Sequence, residues 1–94
     1  MVRRLGGRLT GAGQVSAQAV EAMGLAYSYG ESLLEQKRAV YWLCRAVQLS
    51  RQNLGFLYGI LAEALEKTRD YAGAYEAVHM ALAHIEEDVH FTRP

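Results

Sequence analysis

The chain has 94 residues, 51% of them hydrophobic, with one proline, one cysteine, and ten basic side chains balanced by ten acidic ones. That length supports one domain; zero net charge excludes a dedicated nucleic-acid binder, which needs excess Lys and Arg; a lone cysteine excludes an internal disulfide or a zinc cage. No apolar run is long enough to span a bilayer, and the N-terminus has no apolar signal core, so a cytoplasmic protein is expected.

Residues 1–13 hold Arg3, Arg4 and Arg8 among four glycines, with no acidic residue. They read as a flexible basic arm, because ordering so many glycines is expensive. The remaining 81 residues carry seven basic against ten acidic side chains, a net of −3. The domain proper is predicted over 14–90, with a tail at 91–94. A first helix is predicted over about 14–29, with Gly30 as its breaker. A second opens on Ser32-Leu33-Leu34-Glu35, a capping box, and continues to about Leu49 or Arg51. A third covers about 53–68. The fourth starts with Asp70 as N-cap and runs to about Val89. Nothing alternates with period two for long enough to make a strand.

The second helix places Ala39, Leu43, Ala46 and Val47 on one stripe, with Trp42 beside it. The fourth places Ala74, Val78, Ala81, Leu82, Ile85 and Val89 on another. Both have the spacing of a buried helical face. The first four residues of each superpose at an offset of 35. The preceding helices match at an offset of 38: Val20, Met23, Gly24 and Tyr27 fall on Tyr58, Leu61, Ala62 and Leu65. The first unit therefore has three extra residues between its helices, within Tyr29 to Lys37. A mid-thirties period with two helices per unit is the mark of an α-solenoid, in which each unit buries its apolar face on its neighbour.

Tyr58-x-x-Leu61-Ala62-x-x-Leu65, Asp70-Tyr71-x-x-Ala74 and Val78-x-x-Ala81-Leu82 together resemble a tetratricopeptide repeat. Ala62, Ala74 and Ala81 match the motif's close-contact positions, while the usual proline after the second helix is missing. Met23-Gly24-x-x-Tyr27-x-x-Gly30 with Ala39-x-x-Trp42-x-x-Arg45-Ala46-Val47 is similar to a Sel1-like repeat, one residue short in its loop. The resemblance covers Val20 to Ile85. It implies an all-α fold of antiparallel helix pairs stacked as a short α-solenoid, about four helices in all.

Candidate catalytic groups do not assemble. His79 and His90 share a helical face but lie about 16 Å apart at 1.5 Å per residue, and His84 points away from both. Without a pair at i, i+4 there is no helical metal site, and solvent- or partner-facing histidines are expected. Cys44 reads as a small buried hydrophobe. The glycines of the arm lack the Gly-Lys-Ser/Thr ending of a phosphate loop. Gly55-x-x-x-Gly59 reads as close packing of the third helix, and Glu63 and Glu66 as solvated charge. No enzyme, metal or cofactor is expected.

The resemblance implies a groove lined by the first helix of each unit: Gln18, Glu21, Leu25 and Ser28, then Phe56, Gly59, Glu63 and Glu66. Such a lining suits an apolar or amphipathic partner segment bearing positive charge. The fourth helix also shows Tyr71, Tyr75, His79, Met80 and Ala83 away from its main stripe. A terminal helix apolar on more than one face implies a cover, whether another protomer, a partner or a further repeat. A protein-interaction module is therefore expected, an adaptor or chaperone that binds a protein partner or forms a homo-oligomer, without membrane insertion. In size and repeat type it resembles small chaperones of type III secretion. The alternative is the sensory or dimerising part of a larger signalling or transcription regulator. Nucleic-acid contact rests on three arginines alone and is not expected.

Overall fold

The computed structural model describes the backbone of residues 16–92 and the side chains of residues 16–85. The arm expected over 1–13 and the last two residues of the tail lie outside the described residues. Four helices follow one another: α1 (Ala17–Ser28), α2 (Leu33–Leu49), α3 (Leu54–Lys67) and α4 (Tyr71–Thr92). Among the described residues there is no strand.

The helix ends follow from local chemistry. Ser16 Oγ accepts from the Ala19 amide and opens α1. The amides of Tyr29 and Gly30 then donate to the carbonyls of Ala26 and Tyr27 and close it. The helix stops just before Gly30, as expected, although no described glycine has a positive φ. The role of Gly30 is room: a Cβ there would run into the Glu35 side chain. That side chain completes the expected capping box. The Glu35 amide donates to Ser32 Oγ at 3.0 Å, and the Ser32 amide donates back to Glu35 Oε1 at 3.2 Å. Gln36, buried one residue later, ties the turn to α2 by donating from Nε2 to the carbonyls of Ser28 and Gly30.

The turn between α3 and α4 is built differently. The Asp70 amide donates to the Leu65 carbonyl and the Arg69 amide to the Glu66 carbonyl, the paired bonds of a Schellman motif. Arg69 occupies the left-handed position with φ 69. Asp70 then caps α4, its Oδ1 accepting from the Gly73 amide at 3.0 Å.

The helices pack in chain order. The α1–α2 and α3–α4 contacts are the most extensive, α2 lies on α3, and α1 touches α3 lightly. Both pairs are antiparallel: Ser28 at the end of α1 meets Gln36 at the start of α2, Glu21 near the start of α1 accepts a hydrogen bond from Ser50 Oγ beyond the end of α2, and Gly55 at the start of α3 lies against Ile85 late in α4. Close approach needs small residues. A Cβ on Gly24 would lie 2.7 Å from Leu43 Cδ2 and 3.3 Å from the Leu43 amide nitrogen. A Cβ on Gly55 would lie 2.7 Å from Ile85 Cγ1. The core joins Val20 of α1, Ala39, Leu43 and Ala46 of α2, Leu57, Leu61, Ala62, Ala64 and Leu65 of α3, and Ala77 of α4.

The expected stripe of α2 is buried, with Val47 and Trp42 half-buried at its edge. That of α4 is not. Ala81 is buried and Ala74 half-buried, but Val78, Leu82 and Ile85 are exposed. The face that α4 turns to α3 is centred instead on Ala77 and Ala81. The reason is position: α2 is covered from both sides, by α1 and α3, whereas among the described residues α4 has only α3 against it.

Candidate interaction site

Two open clefts flank α3. One, of about 570 Å³, lies between α3 and α4 and is lined by Gly59, Ala62, Glu63, Glu66, Tyr71, Ala74, Tyr75 and Val78 with Ile60. The other, of about 670 Å³, runs from the α1–α2 turn to α3 and includes Tyr29, Leu33, Gln36, Ile60, Glu63 and Lys67. Ile60 and Glu63 line both, so the two form one trough with these side chains as its ridge.

The trough brings together residues that the sequence placed in two separate groups. Gly59, Glu63 and Glu66 come from the expected groove, Tyr71 and Tyr75 from the expected end face, and all five line the α3–α4 cleft. Of the rest, Ser28 lines the other cleft and the others line neither. Glu21 is half-buried and tied to Ser50 Oγ, so part of its hydrogen-bonding capacity holds the α2–α3 loop. Ser28 Oγ donates to the Leu25 carbonyl, and Leu25 is half-buried. Gln18 is exposed. Phe56 is 56% exposed and lines neither cleft. Gly59 faces open space, so only Gly55 of that glycine pair is a close-packing position. His79 packs edge-on against Tyr75, with ring centroids 4.4 Å apart. Met80 lies on the other side of α4, where a third groove of about 370 Å³ separates it from Val40 and Cys44 of α2.

The chemistry of these surfaces is apolar with an acidic rim. Tyr71, Tyr75 and Val78 form the α4 wall, while Glu63 and Glu66 stand exposed on the α3 wall. Burial pushes the Cys44 thiol up from its ordinary value, the opposite of an activated nucleophile. His84, expected to face solvent or a partner, packs within the chain. It is half-buried and stacked on Tyr58, with rings 8° from parallel and centroids 5.6 Å apart. The His90 side chain lies outside the described residues. No three His, Cys, Asp or Glu among the described residues are grouped to hold a metal ion. Nor is any helix, over the described residues, long and apolar enough to cross a membrane.

Sequence reasoning missed Ile60 and Lys67 as lining residues, and it placed Val78 in the core. It also passed over Gln36, whose Oε1 is buried without a partner. A polar residue on the α2 stripe, one turn before Ala39, was the available signal. No protein-family model, curated protein or solved structure matches the chain.

Proposed function

We propose that the protein is an interaction module that binds a partner's apolar or amphipathic helix in the α3–α4 cleft. The carrying observation is the cleft itself, with large apolar side chains left open on α4 and two carboxylates on its rim. An exposed apolar surface of this kind rimmed by charge is a binding surface in most proteins that keep one. On this reading the two helix pairs form a short tetratricopeptide-like solenoid, and the cleft is its open end. A helix with leucines four residues apart fills the apolar wall, and lysines flanking them meet Glu63 and Glu66. Catalysis has no part in it.

The test is fluorescence anisotropy with two labelled helical peptides of the same leucine pattern, one flanked by lysines and one by glutamates. The lysine peptide is expected to bind and the glutamate peptide to bind at least about tenfold more weakly. Glu63→Lys with Glu66→Lys reverses the preference. Equal binding of both peptides, or no binding of either, ends the reading.

A further inference from the structure

We infer that the helix received by the α3–α4 cleft is α1 of a second copy of this chain, docked head to tail. The inference rests on the proposed helix-pair module but not on its lysine contacts, since α1 carries Glu21 and no basic residue.

The chain already contains one such contact. At the offset of 35, the cleft residues Tyr71, Tyr75 and Val78, with Leu82 one turn further along α4, correspond to Gln36, Val40, Leu43 and Val47 of α2. Those α2 residues are buried or half-buried on a helix packed between α1 and α3; their α4 counterparts are all exposed, from 45% at Val78 to 68% at Tyr75. The opposite surface shows the same relation. At the offset of 38, Leu57, Ile60, Leu61 and Ala64 of α3 correspond to Ala19, Ala22, Met23 and Ala26 of α1. The α3 residues are buried or half-buried, and all four on α1 are exposed. Among the described residues, α4 therefore presents the receiving half of the internal contact and α1 the inserting half.

Size agrees with this pairing. Large side chains on α4 (Tyr71, Tyr75 and Leu82) meet alanines on α1, so bulk on one face is matched by space on the other. Within the chain α3 begins at the C-terminal end of α2, so a copy docked in the same way begins its α1 at the C-terminal end of α4. A contact between two different faces adds copies in line or closes a ring, rather than stopping at a two-fold dimer.

Sedimentation equilibrium of the full chain over a range of concentrations tests this. The wild type is expected to rise past the mass of a dimer as concentration increases. Val78→Glu blocks the receiving face and Met23→Glu the inserting face. Both sites are partly exposed, and circular dichroism checks that each variant keeps its helices. Tyr75→Glu and Ala22→Glu replace any variant that unfolds. Each variant alone should associate at least about tenfold more weakly. Mixed, they should form a one-to-one dimer that grows no further, because one intact interface survives between them. Met23→Glu dimerising by itself indicates a symmetric α4–α4 contact and overturns the head-to-tail arrangement. A wild type that stays monomeric overturns self-association altogether. If that monomer binds the lysine-flanked peptide, the interaction module stands without it; if it binds neither, both readings fall.

Discussion

The two helix pairs carry the same pattern of apolar residues and bury it differently. Leu43 is fully buried and Val78, its counterpart 35 residues on, is 45% exposed. The residue types are alike; the neighbours are not. Leu43 sits against Gly24 and lies under α3, whereas among the described residues Val78 has Ala62 and the open cleft. A hydrophobic stripe thus fixes which face a helix can bury, while its position in the stack decides whether that face is buried in one chain.

The sharpest way to break this comparison is to truncate both residues. Leu43→Ala removes a fully buried side chain and should cost about 2–5 kcal/mol, the range for leucine-to-alanine cavities. Val78→Ala, measured at low protein concentration, should cost below about 1 kcal/mol, because its surface is already half in water. Urea denaturation of both variants checks the difference. Equal losses would mean that the two stripes are equally covered in solution.

The glycines sharpen it at the next level of effect. Gly24→Ala forces a methyl group against Leu43 side chain and backbone and should cost about 1–3 kcal/mol through overpacking. Gly59→Ala puts the same methyl group into open space and should stabilise by about 0.5–1 kcal/mol through helix propensity. Opposite signs from the same substitution, read as shifts in thermal midpoint, are the expected result.

These contrasts also show what the sequence could and could not tell. Four helices, the Ser32–Glu35 box and the Asp70 cap were legible because each depends on residues within four positions of one another. The α2 stripe was legible because its period and its burial agree. The exposure of Val78, Leu82 and Ile85 was not, since period alone does not reveal which neighbour is missing. Half of the candidate site was read for a similar reason. Glu63, Glu66, Tyr71 and Tyr75 announce themselves as charges and aromatics off the main stripes, but their meeting in one cleft depends on the angle between α3 and α4. Glu21 was misplaced because its tie to Ser50 is a contact 29 residues apart in the chain.

The two turns give the next contrast. Ser32→Ala removes the capping box and should cost about 1 kcal/mol at neutral pH. The backbone and then the hydroxyl of Ser32 hold the Glu35 carboxyl below its ordinary value. A group with a lowered folded pKa contributes fully above its unfolded value and loses that contribution as pH falls through the folded one. Ser32→Ala keeps the backbone amide that donates to Glu35 and loses only the hydroxyl, so its gap to wild type should narrow without closing as the solution is acidified through and below the usual carboxylate range. A gap that stays constant down that range would show that the Ser32 hydroxyl does not hold the Glu35 carboxylate.

Arg69 gives the smallest expected effect, and one of opposite sign. A side chain in the left-handed region costs roughly 1–2 kcal/mol relative to glycine, and Arg69 sits there at φ 69 to close the Schellman turn. Arg69→Gly removes that strain but adds freedom to the unfolded chain, which takes back part of the gain. A net stabilisation of about 0.5–1 kcal/mol is expected. Asn53 has a similar φ of 62 at the start of α3, yet asparagine tolerates this region well, so Asn53→Gly should gain less. Chemical denaturation of the two variants side by side separates them. If Asn53→Gly gained as much as Arg69→Gly, the benefit would come from glycine in any turn rather than from strain held at the hinge between α3 and α4.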